Sequence, residues 1–166
     1  MQRIGQHDNV IQLYDILQNT DIVTFKNKKR KTKKVNAIIM EKGKVDLFSL
    51  IQKCESFSEK TCRYFFKQLL SGLEHCHKQN VAHCDLKLEN IIFDNLGKIK
   101  LIDFGLSHAI QNKGFGAYRK LLGTYGYMAP EIHNSEIYNI KKSDLFSLAV
   151  ILFIMVYGSP PFAQAE

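Results

Sequence analysis

The sequence predicts an α+β fold on three observations. Strand-like apolar stretches come first, helix-period patterns dominate the remainder of the chain, and a short hairpin separates two of the helices. Residues 10–17 and 35–40 are rich in branched apolar side chains and flanked by polar loops, which makes them candidate strands. Ser58 precedes Glu59-Lys60-Thr61 and an apolar series, Phe65, Phe66, Leu69, Leu70 and Leu73, at helical spacing, so it is expected to cap a helix running to about His77. Residues 91–93 and 98–102 are apolar around the turn signal Asn95-Leu96-Gly97 and predict a hairpin. Ser143-Asp144 is expected to open a buried helix through the apolar run 145–157, which Gly158-Ser159-Pro160-Pro161 then breaks. With 166 residues, 45% of them hydrophobic, the chain can bury a real core.

The formal charge of +7 suggests a polyanionic partner, but its distribution argues otherwise. Seven basic residues lie in one run, 26–34 (KNKKRKTKK), and outside it 16 basic residues face 16 acidic ones. No broad basic face is implied, and no nucleic-acid partner is expected. Like charges at that density favour a solvated, mobile hairpin loop between the two candidate strands; a nuclear-import signal or an acidic-partner patch is the alternative.

Cys54, Cys62, Cys76 and Cys84 make no C-x-x-C pair and no zinc spacing with the histidines, so a reducing intracellular compartment is the natural setting. His75-Cys76-His77 does not make a metal site, because three successive helical residues point in different directions. There is no basic-then-apolar leader pattern at the start, and the run 145–157 is shorter than the roughly 20 residues that span a bilayer, so no membrane role is expected. The setting implied is intracellular and cytoplasmic, with the nucleus as the alternative if the basic run is an import signal.

Three motifs carry the chemistry. His83-Cys84-Asp85-Leu86-Lys87-Leu88-Glu89-Asn90 is succeeded by Asp103-Phe104-Gly105 and then by Ala129-Pro130-Glu131. In this order and spacing the chain resembles the eukaryotic protein kinase family, whose catalytic loop reads H-R-D-x-K-x-x-N, whose metal motif reads D-F-G and whose activation segment closes with A-P-E. The resemblance implies a protein-kinase-like α+β fold: 1–40 as the C-terminal part of a small lobe with the basic loop 26–34, 41–46 as the hinge, and 47–166 as the first half of a mainly helical large lobe, opened by a short helix at 46–53.

The same resemblance implies a reaction, transfer of the γ-phosphate of ATP to a protein substrate, with Mg²⁺ as the metal. Asp85 would orient the acceptor hydroxyl and take its proton, while Asn90 and Asp103 would hold Mg²⁺. Lys87 and Thr124 resemble the pair found in serine/threonine kinases, which favours Ser or Thr as acceptor. Met40, Glu41 and Lys42 in the hinge, Asp46 and Ile92 would surround the adenosine of ATP, with Met40 gating the back of its pocket. His83 and Phe104 would stack with Leu13 into a spine, and Asp144 would accept hydrogen bonds from the catalytic-loop backbone while also serving as a helix cap. Asp46 and Glu89 are placed like acids that meet basic substrate residues, but Ile154 stands where a second acid would be, so substrate preference stays open. The hinge, Asp46-Leu47-Phe48 and Pro160-Pro161-Phe162 look most like the calcium/calmodulin-dependent group.

Departures from the pattern matter as much. Neither a glycine-rich loop nor the strand lysine precedes the hinge in these residues, so the chain is expected to be an incomplete domain starting near an internal methionine. An inactive truncated kinase or pseudokinase acting as a binding module is the alternative. Cys84 stands where the family carries an arginine that reads a phosphorylated activation loop, and 108–123 offers no Ser or Thr, only Tyr118. Order in that loop is therefore expected from neutral packing, by Phe115 and Leu121, or from a partner, with Arg119 or Lys120 as substitute readers. Ala149 replaces a glycine of the buried helix, and Glu131 lacks the later arginine it would pair with.

Overall fold

The computed structural model describes residues 2–26, 29–110, 117–118, 121–134 and 137–162. Two long strands come first, β1 (Leu13–Lys26) and β2 (Lys29–Met40), and after them β3 (Val45–Asp46), α1 (Leu47–Cys54) and α2 (Glu59–Lys78). Next come β4 (Val81–Ala82), a 3-10 turn (Leu88–Asn90), β5 (Ile91–Phe93), β6 (Ile99–Leu101), β7 (His108–Ala109) and β8 (Ala117–Tyr118). The last elements are α3 (Pro130–Asn134), β9 (Tyr138–Asn139) and α4 (Ile140–Tyr157). Strands then helices make an α+β chain, as the sequence implies.

The core lies between α2, α4 and the three-stranded sheet β3-β5-β6. Ser58 caps α2 by accepting from the Thr61 amide, and Cys62, Leu69, Gly72, Leu73 and Cys76 form its buried stripe. Helix α4 buries one face, including Ser143, Asp144, Leu148, Ile151 and Met155, against the core, and leaves an apolar face of Leu145, Phe153 and Val156 exposed. It starts earlier than the sequence predicts. Asn139, not Asp144, is the cap, accepting from the Lys141 and Lys142 amides, which frees the Asp144 carboxylate for another task. Gly158 ends the helix in the left-handed conformation at φ 77°.

The basic run departs most from expectation. Apart from residues 27 and 28, which lie outside the described residues, it is strand rather than solvated loop: β1 and β2 pair from Leu13↔Met40 to Lys26↔Lys29, with register shifts at Leu13/Asp15 and Leu17/Thr20 and an unbroken register from Thr20↔Val35 onwards. Two effects favour this. The partner segment Thr20-Asp21-Ile22-Val23-Thr24 is β-branched at every position but Asp21, and alternation sends Lys31 and Lys33 to one face and Arg30 and Lys34 to the other, which separates neighbouring charges. The first candidate strand likewise begins at Leu13, three residues late, because Val10 instead makes a parallel bridge to Leu101. Among the described residues no helix is long and apolar enough to cross a membrane.

Candidate active site

The loop after β4 has no strand to satisfy its backbone, and α4 supplies the replacement. One Asp144 carboxylate oxygen accepts from the His83 amide at 2.9 Å and from His77 Nε2 at 2.7 Å, and the other accepts from the Cys84 amide at 2.8 Å. Asp144 is 2% exposed, so these bonds are made in low dielectric. They hold Cys84 at φ 65°, a left-handed conformation that costs a non-glycine residue about 1 kcal/mol.

His83 is fully buried. It accepts from the Asp85 amide through Nδ1 at 3.3 Å, and Nε2 donates to the Ile102 carbonyl at 2.9 Å. That pattern describes a neutral ring, and burial holds His83 below the usual imidazole range. Its face lies 4.8 Å from Phe104, which packs on Ile4, Val10, Cys76 and Val81. The two rings are in contact but tilted at 52° rather than stacked, and Leu13, half-buried at the start of β1, is not part of that cluster.

Asp85, Lys87, Asn90 and Thr124 converge. Thr124 Oγ1 donates to Asp85 Oδ1 at 2.7 Å and accepts from Lys87 Nζ at 3.0 Å, and Lys87 Nζ lies 3.1 Å from Asp85 Oδ2. Asn90 Nδ2 donates to the Asp85 carbonyl at 2.9 Å and to Oδ2 at 3.1 Å. Thr124 arrives from a distant segment. Gly123, at φ 117°, lets that segment approach so closely that a Cβ there would sit 3.1 Å from the Cys84 carbonyl, and Ser147 of α4 donates to the Tyr127 carbonyl at 2.6 Å. Burial, with Glu89 nearby, pushes the Tyr127 hydroxyl up to about 12.

Asp103 leaves β6 beside this group. The Ile102 amide donates to the Asn90 carbonyl at 3.0 Å, and Asp103 itself is left-handed at φ 57°, with Oδ1 accepting from the Gly105 amide at 3.1 Å. Asn90 and Asp103 thus offer an amide oxygen and a carboxylate, the hard oxygen donors Mg²⁺ takes when phosphates and water fill its other positions.

The predicted hinge residues are spread along one strand exit. Met40 is 43% exposed and Lys42 is exposed, whereas Glu41 is locked: its amide donates to the Gln12 carbonyl at 2.9 Å and its carboxylate lies 2.9 Å from the buried Lys100 ammonium. Ile92 packs against Gly43 so closely that a Cβ there would overlap its side chain. Asp46 pairs with Ile92 across β3 and β5 and spends both carboxylate oxygens on Ser49, capping α1. Backbone and side-chain donors from Ser49 hold the Asp46 carboxyl below the usual range against the opposing effect of burial.

Cys84 sits where an arginine would be a cation, and its surroundings are apolar apart from the Asp144 and Asp85 carboxylates. It packs against the cluster of Ala82, Ile110, Met128, Ala129, Ile132, Tyr138 and Ile140, and burial, then Asp144, pushes its thiol up to about 12. Leu121 is 54% exposed, so it does not supply the packing expected of it. Phe115, Arg119, Lys120 and the Tyr118 side chain lie outside the described residues. Glu131 is half-buried in α3.

Sequence reasoning misses His77, Lys100 and Gly43. By sequence His77 stands out only beside His75 and Cys76 as a metal candidate, and in the fold it supports Asp144. A single lysine inside the buried strand Ile99–Leu101 is the signal for a buried ion pair, and the partner, Glu41, cannot be chosen from sequence.

Residues 1–166 match the protein kinase domain family. The chain is 36% identical over 157 residues to NUAK family SNF1-like kinase 1 of Homo sapiens, an alignment covering 94% of this chain and 22% of that protein. It is 35% identical over 164 residues to CBL-interacting protein kinase 26 of Oryza sativa subsp. japonica, covering 98% and 30%. Sperm motility kinase 3A of Mus musculus is 37% identical over 161 residues, covering 96% and 29%. The chain spans less than a third of the length of these relatives.

Proposed function

Because the chain belongs to the protein kinase domain family, we propose that its protein transfers the γ-phosphate of ATP to serine or threonine hydroxyls of protein substrates. The observation that carries this reading is the closed triangle of Asp85, Lys87 and Thr124. Thr124 and Asn90 aim the Asp85 carboxylate, so that it can orient an incoming hydroxyl and accept its proton. Lys87, half-buried beside it, neutralises charge on the transferred group. Mg²⁺, when bound, supplies charge neutralisation across the phosphates; Asn90 and Asp103 would hold it. Met40, Glu41, Lys42, Asp46 and Ile92 are proposed to border the nucleotide, with 1–40 as the end of a small lobe, 41–46 as the hinge and 47–166 as part of a large lobe. Four free cysteines suit an intracellular setting.

The experiment is a pair of substitutions in the full-length protein. Asp85→Asn should keep Mg-ATP affinity and lose turnover by at least about 100-fold, whereas Asp103→Ala should lose productive Mg-ATP binding. Equal loss of nucleotide affinity in both would show the roles misassigned. A wild-type protein that binds partners but transfers no phosphate would instead establish a binding module.

A further inference from the structure

The segment before β1 is fastened to the rest of the molecule through His7. Its Nδ1 accepts from the Asn9 amide at 3.0 Å, its Nε2 lies 3.4 Å from Ser71 Oγ, and its ring stacks on His75 of α2 with centroids 4.7 Å apart and planes at 22°. His75 points Nε2 at the Ile4 carbonyl, 2.7 Å away, and a carbonyl only accepts, so that nitrogen carries a proton. His7 is the reverse case. A backbone N–H aimed at Nδ1 requires a lone pair there, so His7 is neutral with its proton on Nε2.

What His7 fixes is Asn9, which is buried and serves two elements at once. Its carbonyl accepts from the Leu101 amide at 3.0 Å, its Nδ2 donates to the Ile99 carbonyl at 2.9 Å and to Gln68 at 3.1 Å, and Gln68 accepts from the Ile99 amide at 3.0 Å. Strand β6 is therefore held along this edge by Asn9 and by the parallel bridge from Val10 to Leu101. Two residues after Leu101 comes Asp103. We propose that neutral His7 is a positioning residue for Asp103, and that protonating its Nδ1 unfastens Asn9 and with it the strand that delivers the carboxylate.

The surroundings of His7 agree. Burial and the stacked His75 hold it below the usual imidazole range; Asp8 opposes them, but its carboxylate is paired with Lys98 at 2.7 Å, and Lys100, engaged with Glu41, adds to the depression. A histidine whose folded value is depressed stabilises fully above its unfolded value near 6.5, and that stabilisation is lost as pH falls towards the folded value.

The inference rests on Asp103 as a metal ligand only for its effect on turnover, and the test has a reading free of that. In the full-length protein, amide exchange of residues 99–102, corrected for intrinsic rate, is compared at about pH 7.5 and about pH 5.5, alongside the pH profile of kcat/KM. Wild type should lose about tenfold in protection at the lower pH and show an acid limb in kcat/KM. His7→Asn should keep protection at both pH values and lose the limb, because an asparagine carbonyl accepts from the amide two residues on and does not titrate. The same pH sensitivity in wild type and variant would overturn the proposal, as would a wild type whose protection ignores pH. Wild type also decides alone: the Leu101 amide resonance must titrate with the midpoint of the His7 ring nitrogens, and a different midpoint sinks the idea. Matching midpoints with no turnover at any pH would uphold the coupling and count against the kinase reading instead.

Discussion

The β1–β2 ribbon and the loop from His83 to Asn90 meet the same requirement, a partner for every backbone amide, in opposite ways. The ribbon pairs the inner edges of its two strands with each other, leaves the outer edges to water, and turns Tyr14, Ile22, Val23, Lys31, Lys33 and Lys34 towards solvent. The loop has no strand beside it and borrows a carboxylate 60 residues away, near the N-terminal end of α4. A self-paired element tolerates change in its side chains, because they do little for its backbone. A loop whose amides depend on one distant oxygen pair concentrates its stability in a single residue.

The largest effect should come from removing that carboxylate. Asp144→Ala leaves the His83 and Cys84 amides and His77 Nε2 without an acceptor. At roughly 1–3 kcal/mol for each buried donor left unpaired, the full-length protein should lose about 4 kcal/mol, read as a lower urea midpoint at unchanged slope. A loss below about 1 kcal/mol would mean that the loop holds its own shape, and the contrast with the ribbon would collapse.

A smaller effect is expected where the segment carrying Asn9 crosses α2. A Cβ at Gly72 would lie 2.6 Å from the Asn9 carbonyl oxygen, which is backbone and cannot swing aside. Gly72→Ala should therefore cost about 2 kcal/mol by forced displacement, against the gain of up to about 1 kcal/mol that alanine brings to a helix interior. A net gain in thermal denaturation would show that the segment sits more loosely on α2 than the hydrogen bonds from Asn9 imply.

The smallest effect belongs to the ribbon. Lys31→Gln with Lys33→Gln alters one exposed face and no ion pair found among the described residues, so the melting transition should move by no more than about 0.5 kcal/mol. A shift beyond about 1 kcal/mol would show that the ribbon is coupled to the rest of the fold and that its charges are more than a solvated surface.

Sequence alone determined the elements whose signals are local: the Ser58 cap and apolar stripe of α2, the β5–β6 hairpin, the glycine that stops α4, and the order of the three motifs. It also grouped Asp85, Lys87 and Asn90, because six successive residues of one loop cannot lie far apart. It failed on the basic run, where charge density suggested a loop and cross-strand pairing with a β-branched segment produced a strand. The family resemblance implies Thr124 beside Lys87 and the catalytic-loop amides on Asp144, whereas only the tertiary structure brought Glu41 onto Lys100 and His77 onto Asp144. The physical reason is that a buried polar group must find a partner but does not prescribe which one; the choice is made by the packing of α2 and α4, which fixes what stands within 3 Å of each oxygen.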